Sequence, residues 1–535
     1  MRKGLLRQAL FVMGVMMSAS ADVWRRKARK RREEMRMVLS RTHDLPAMQM
    51  LWAINVMQTD TPPDIRRYLT TYPKAAAKAQ MGDAAFALKW ELENLILLML
   101  STPKDPVQLP RPPDYYNYNT AALLLNMLKK ADEAEEVFML RTGNPRIAMQ
   151  KLAHKQFVWQ RAWLQTERLY RHYYVYGQGE CAEYFESTYG LSMGEFAISS
   201  FALHLATGQF AWQQPMVMPK EIGMRPEAMQ LTIQMMTKEH ADMRRFTAEQ
   251  ISKMTAGHTS KLAFLPSTLR QFPIISSNEL DGKLIAPLPQ LIIYRATTGL
   301  YYDLATGPKS LVKDATNRFE EYGKKLIEAH YPRFKVLREQ SFGTKANTYL
   351  TPDLLLKDGD TIRAVFECKA TKLTFGAQYA DDPFNHAREA FDQLSKGISQ
   401  LWKFFSRARR GLYTQEEVAP DAHGIILTMD TWYQLQGAQM LELRAAAELL
   451  VAKEPDMRPE DMRHIIVCSI EELDDVIAVS DEDEFLDTFT KAKTPEFINH
   501  AIPTVRQPVF AAPLPRKDYP FGLSEVIPLW EKLQG

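Results

Sequence analysis

From about residue 40 to 250, apolar positions recur at three and four residues, as in 51–54, 85–100 and 121–128. That is the spacing of helices with one buried face. Proline-rich loops such as Pro110-Arg111-Pro112-Pro113 separate them, and no fixed-period repeat runs through this half. Near residue 280 the texture changes. Pro287 and Pro289 lead into the strand-like run Leu291-Ile292-Ile293-Tyr294 and the turn-like Thr297-Thr298-Gly299, which puts a domain boundary between about 270 and 300. Beyond it the pattern predicts a helix over 315–330, strands over 334–341, 349–356 and 362–370, and a long helix over 383–410. A strand over 424–429, a strand over 464–469 and a helix over 470–479 follow. The fold class is an α/β core of αβββαβ order, a mixed sheet flanked by helices, preceded by a large all-α N-terminal domain. The domains read as a basic amphipathic helix over 1–40, a helical domain over 41–275, the α/β domain over 276–480 and a Pro-containing, extended tail over 481–535.

Composition adds a reducing compartment. Cys181, Cys368 and Cys468 lie far apart with no CxxC, which excludes a zinc ribbon or a disulfide scaffold. The strongly apolar run 95–100 is far short of the ~20 residues that span a bilayer, so no membrane partner is expected. The N-terminus imitates an export signal: Arg2, Lys3 and Arg7 precede an apolar stretch over 9–17 and the small-x-small Ala19-Ser20-Ala21. Seven cations in the eight positions 25–32 follow, and positive charge there resists translocation. The expectation is a basic amphipathic helix in a cytoplasmic protein.

Charge is uneven. The net of +3 conceals 11 Lys/Arg against 3 Asp/Glu in residues 1–36 and 10 against 23 in residues 411–535, so local patches decide partners. Two motif mimics drop out. Gly190-Leu191-Ser192-Met193-Gly194 spells a nucleophile elbow without the strand an elbow needs, and Ser192 with Glu195 reads as a capping box. Gly177-Gln178-Gly179-Glu180-Cys181-Ala182 has no βαβ unit around it. Trp159, Trp163, Tyr170 and Tyr174, interleaved with Arg161, Arg168 and Arg171, fit base stacking or one buried helix face, and the buried face is the better reading.

The informative stretch runs from Thr351-Pro352-Asp353 through the Asp358-Gly359 turn to Glu367-Cys368-Lys369. Two apolar runs around Asp-Gly predict a hairpin. Residues two apart share a strand face, so Val365, Glu367 and Lys369 point together, and a Glu and a Lys among Ala, Val, Phe and Cys are costly to bury without a task. A three-residue loop, 358–360, would pair Lys357 with Thr361 and Asp353 with Val365. Asp353 would then lie diagonal to Glu367 with Cα atoms ~7–8 Å apart, close enough for both carboxylates to share a cation. A two-residue loop would turn them back to back unless a bulge intervened. The expectation is a three- or five-residue loop, or a bulge.

Pro352-Asp353, thirteen residues, then Glu367-Cys368-Lys369 resembles the P-D…(D/E)-x-K motif of the PD-(D/E)XK, restriction-endonuclease-like nucleases, over roughly residues 300–480. The resemblance implies a Mg²⁺-dependent nuclease (Mn²⁺ as substitute) acting on nucleic acid, most simply DNA. Asp353 and Glu367 would hold the metal with the Cys368 backbone carbonyl, and Lys369 would orient water and stabilise phosphate charge. Glu320, preferred over the adjacent Glu321, would be the helix carboxylate reaching the metal. On the helix over 383–410 the polar stripe Gln393, Lys396, Gln400, Lys403 and Arg407 would contact nucleic acid, with Gln393 or Gln400 near the site. By analogy of build, large nucleases with an unrelated helical half are similar to restriction and phage-defence effectors, and double-strand cleavage would favour a homo-oligomer. The alternative is a catalytically inactive nuclease fold that binds nucleic acid or serves as scaffold.

Overall fold

The computed structural model describes residues 2–105, 113–142, 145–160, 164–218, 220–255, 259–373, 375–380, 382–432, 437–507 and 515–533. Arg161, Trp163 and Pro110-Arg111-Pro112 fall outside that set. The chain folds into two compact units, one of Met1–Leu164, Tyr189–Gly299 and Leu529–Gly535, the other of Gln165–Thr188 and Leu300–Pro528.

In the first unit, helices α1 (Arg2–Leu39), α2 (Asp44–Met57), α3 (Lys89–Ser101) and α4 (Tyr118–Thr142) contribute to one large apolar core. Along α2, Leu51, Trp52, Ala53 and Ile54 are all buried, so it is a central helix wrapped on every side. The basic run of α1 is only partly a solvated face. Arg32 points inward, donating to the Glu135 carboxylate at 2.6 Å and to Asp132 on α4, while Ala28 and Met35 are buried beside it. Two readings need correction. The unit is not wholly helical: Thr237–Glu239, Ile274–Ser277 and Lys283–Ile285 form a small sheet. Leu291–Tyr294 belongs to a helix, Gln290–Ala296, because an apolar run buried on all sides carries no period to tell strand from helix. The Ser192–Glu195 capping box is present, both reciprocal bonds made, at the head of helix Met193–Gln209.

The second unit contains α5 (Thr166–Tyr176), α6 (Lys309–His330), β1 (Phe334–Arg338), β2 (Leu354–Asp358), β3 (Thr361–Lys369), α7 (Arg388–Arg409), β4 (Glu417–Thr428), α8 (Ala438–Val451), β5 (Ile465–Ser469), α9 (Ile470–Ile477) and α10 (Glu482–Ala492). Its mixed five-stranded sheet runs β5-β4-β3-β2-β1. The first two neighbouring pairs are parallel, and β3-β2 and β2-β1 are antiparallel. The face carrying Val365 takes α7, whose Phe391, Leu394, Ile398 and Leu401 join Leu355, Val365 and Ile426 in one core. The opposite face takes α6 at Gly323, where an added methyl would lie 3.3 Å from Leu354 and 3.4 Å from Leu427. It also takes α10, whose Phe489 ring lies 6.3 Å from Phe366.

The segment over 481–528 is not an extended tail. It holds α10, and Phe521 stacks on Tyr170 of α5 with ring centroids 5.0 Å apart while Tyr519 meets it edge-on at 5.8 Å. Prolines cluster only after α10, which is why composition alone hid that helix. Tyr170 and Tyr174 do not continue a helix from Trp159, which ends a short turn in the other unit. Tyr170 is nevertheless fully buried, as a core reading requires. Among the described residues no helix is long and apolar enough to cross a membrane.

Candidate active site

The β2–β3 hairpin closes with a two-residue loop, Gly359-Asp360, between the paired Asp358 and Thr361. Gly359 sits at φ +62°, the left-handed backbone that the first position of such a turn requires. By strict alternation this loop would turn Asp353 away from Glu367. A bulge corrects the parity: Lys357 pairs Ile362 and Leu356 pairs Ala364, leaving Arg363 as the extra residue. The expected pairing of Lys357 with Thr361 and Asp353 with Val365 is therefore replaced. Leu354 faces Phe366, and one step further Asp353 stands across from Glu367.

Asp353 lies just before β2, and its carboxylate accepts the Cys368 N–H at 2.6 Å. In an antiparallel ladder the N–H and C=O of one residue face the same neighbour. The Cys368 carbonyl thus faces the Asp353 side, where β2 has ended. Its thiol is buried on the other sheet face. Glu367 is buried, with Oε1 accepting from Lys369 Nζ at 2.7 Å and Oε2 without a partner. Burial and the neighbouring carboxylates, Asp353 first, raise the Glu367 pKa, and burial raises that of Asp353. Burial works against the Lys369 ammonium, but Glu367 and Asp353 outweigh it and its pKa is raised. Lys369 stays charged and Glu367 is its counter-ion.

Glu320, on α6, is pushed up to about 7 by burial and then by Asp353. Glu321 is half exposed. Arg338, at the end of β1, bridges the two, donating at 2.6 Å to Glu320 and 2.8 Å to Glu321. On α7, Gln393 accepts from the Thr371 hydroxyl at 2.6 Å, just past Lys369. Lys396 and Gln400 are exposed and Lys403 is half-buried. Arg407 is not available as a phosphate contact: it donates to Glu454 at 2.9 and 2.8 Å and lies 4.0 Å over the Tyr349 ring.

Two residues escape the sequence reading. Arg338 has no motif around it, and only the β1–β2 pairing brings it to the carboxylates. Gly397 had a signal, a glycine inside a strongly amphipathic helix. A methyl there would lie 3.1 Å from Lys369 Cε and 3.2 Å from Glu367 Cγ.

Among the described residues no three His, Cys, Asp or Glu side chains converge as a ready cation cage. Glu320 is turned to Arg338, Asp353 to a backbone amide and Glu367 to Lys369. The donor set nevertheless suits a hard cation, being all oxygen, with one buried carboxylate oxygen unpartnered. No family model matches the chain, and no curated protein or solved structure was found similar to it.

Proposed function

We propose that the second unit is a divalent-metal-dependent nuclease acting on DNA. The observation that carries this reading is Glu367: a buried carboxylate across from Asp353, with one oxygen on Lys369 and the other unpartnered. Lys369 answers one oxygen, but leaving a buried polar atom such as the other unsatisfied costs about 1–3 kcal/mol, which a bound cation would relieve. Asp353, Glu367 and the Cys368 carbonyl would hold Mg²⁺, or Mn²⁺ in its place, with Glu320 released from Arg338 as a further carboxylate. A bound divalent cation supplies Lewis-acid polarisation of the phosphodiester. Lys369, kept charged by Glu367, stabilises the negative charge that grows on the phosphoryl oxygens. Gln393, held by Thr371 just past Lys369, and the exposed Lys396 would meet an approaching backbone from α7.

Plasmid and linear DNA incubated with the full chain and Mg²⁺ test the reading. Cleavage is expected, abolished by EDTA and reduced at least ~100-fold by Asp353→Ala or Lys369→Ala. Cleavage that survives all three would sink it. A second reading, a nuclease-like fold that binds DNA without cutting it, draws on Arg338, which ties up Glu320. It predicts binding without cleavage, and binding lost on Lys396→Ala.

A further inference from the structure

Within the first unit an open cleft of about 1160 Å³ is lined by the turn after α1, the first turn of α2, the segment around Arg67 and Lys104, the helix His240–Thr255 and the strand Lys283–Ile285. Small-molecule sites typically run to ~300–1,000 Å³, so this one accommodates a ligand of several rings and phosphates.

Its floor is built around Asp44, which is buried at the start of α2. The Asp44 carboxylate is ion-paired with Lys104 Nζ at 2.5 Å and accepts from Arg244 Nη1 at 2.5 Å, with His240 Nε2 at 3.1 Å. Arg244 is fixed further by the carbonyls of Met99 and Thr102, so this is a held arrangement and not a loose surface pair. One carboxylate thus answers two permanent cations. The first turn of α2 adds amides without helical partners and the positive end of the helix dipole. The balance at the floor is positive, and both cations keep part of their surface on the cleft. Burial already pushes the Lys104 ammonium down. A surplus cation removed from water is costly until an anion balances it.

The rim carries Arg67 and Lys283 against one exposed carboxylate, Glu279, so the cations of floor and rim still outnumber the acids. Arg67 is exposed, 5.0 Å over the Tyr68 ring, and has no carboxylate partner among the described residues. Lys283 likewise has none, whereas Arg41 faces Asp105 at 3.6 Å. Beside these cations stand Tyr116, 48% exposed, and Trp212, whose indole N–H is fixed on Gln49 at 2.9 Å. An exposed tyrosine and a half-buried tryptophan beside unpaired cations suit a planar ring attached to phosphate.

We infer that this cleft binds a nucleotide, its phosphates on the cations of the floor and rim and its base against Tyr116 or Trp212. The site is independent of the proposed nuclease centre and gives the helical half a ligand of its own.

Isothermal titration calorimetry on the full chain in EDTA, which silences the metal-dependent centre, tests this with ADP, GDP, UDP, pyrophosphate, adenosine and a 5′-phosphorylated hexathymidylate. At least one nucleoside diphosphate is expected to bind, with adenosine not binding. The Arg67→Ala/Lys283→Ala pair is expected to weaken binding about tenfold, a change of about 1.4 kcal/mol. Tyr116→Ala is expected to weaken the nucleotide but not pyrophosphate. Both are surface changes that leave the floor and the fold intact. Failure of every diphosphate to bind below ~1 mM overturns the inference. Binding indifferent to both substitutions overturns it too, and binding of the oligonucleotide alone would assign the cleft to polynucleotide instead.

Discussion

Gly397 is where helix α7 lies against Lys369 and Glu367, and it separates two effects that usually travel together. A methyl there gains about 1 kcal/mol of helix propensity, while meeting Ile426 at 2.9 Å and crowding Lys369 and Glu367. Gly397→Ala is therefore expected to leave the melting temperature within ~4 °C of the parent while lowering DNA cleavage at least ~10-fold. Paired thermal-melt and cleavage assays check this, and a variant that melts normally and cuts normally would show that α7 does not set the site. His423, buried in β4 with its ring 5.8 Å from Phe489, behaves differently. Burial, and then Lys493, depress its pKa to about 3. The unfolded imidazole titrates near 6.5, so the unfolded chain binds the extra proton first. The stability held by a neutral His423 is complete above pH ~6.5 and is lost as pH falls toward 3, at about 1.4 kcal/mol per unit. His423→Leu is expected to move acid unfolding to lower pH, read by circular dichroism along a pH titration.

Elements carry a second kind of consequence. Arg407 of α7 and Arg410 just past its end both reach Glu454, just beyond α8, and Arg409 reaches Asp461. The basic C-terminal end of α7 therefore fastens α7 to the segment after α8. Arg407→Ala and Glu454→Ala are each expected to cost about 1–2 kcal/mol in urea unfolding, with the double variant costing less than their sum. Neither should change the salt dependence of DNA binding, whereas Lys396→Ala should. The charge stripe was legible in the sequence, but its partners, more than forty residues on, were not. The hairpin shows the same limit from the other side. Alternation made it legible that Glu367 and Lys369 share a face and that Asp353 joins them only if the loop is odd or bulged. Which of those solutions the chain uses depends on one extra residue, Arg363, and no local preference announces it. Helices α6 and α7 were legible because each keeps one period throughout. The helix at Gln290–Ala296 was not, because complete burial erases the period.

At the scale of the whole molecule, the second unit draws on a helix that precedes most of it by more than a hundred residues. α5 supplies Tyr170 to the aromatic cluster with Tyr322, Tyr519 and Phe521, and Lys325 joins Tyr170 and Glu525 there at 2.6 and 2.7 Å. A fragment of residues 300–528 would leave that cluster open. It is expected to be insoluble or to lack a cooperative thermal transition, while the full chain melts cooperatively. A well-behaved fragment would show α5 to be dispensable. Sequence texture put α5 with the helices around it, since a helix looks the same whichever core it serves. Chain order thus crosses between the units four times, and the crossing has a meaning on the ribosome. About 130 residues separate α5 from α6, so at ~5–20 residues per second the emerging helix waits about 7–26 s for its partner. Through that interval an aromatic surface stands exposed on a nascent chain, and the proposed nuclease cannot mature until nearly all of the protein has been synthesised.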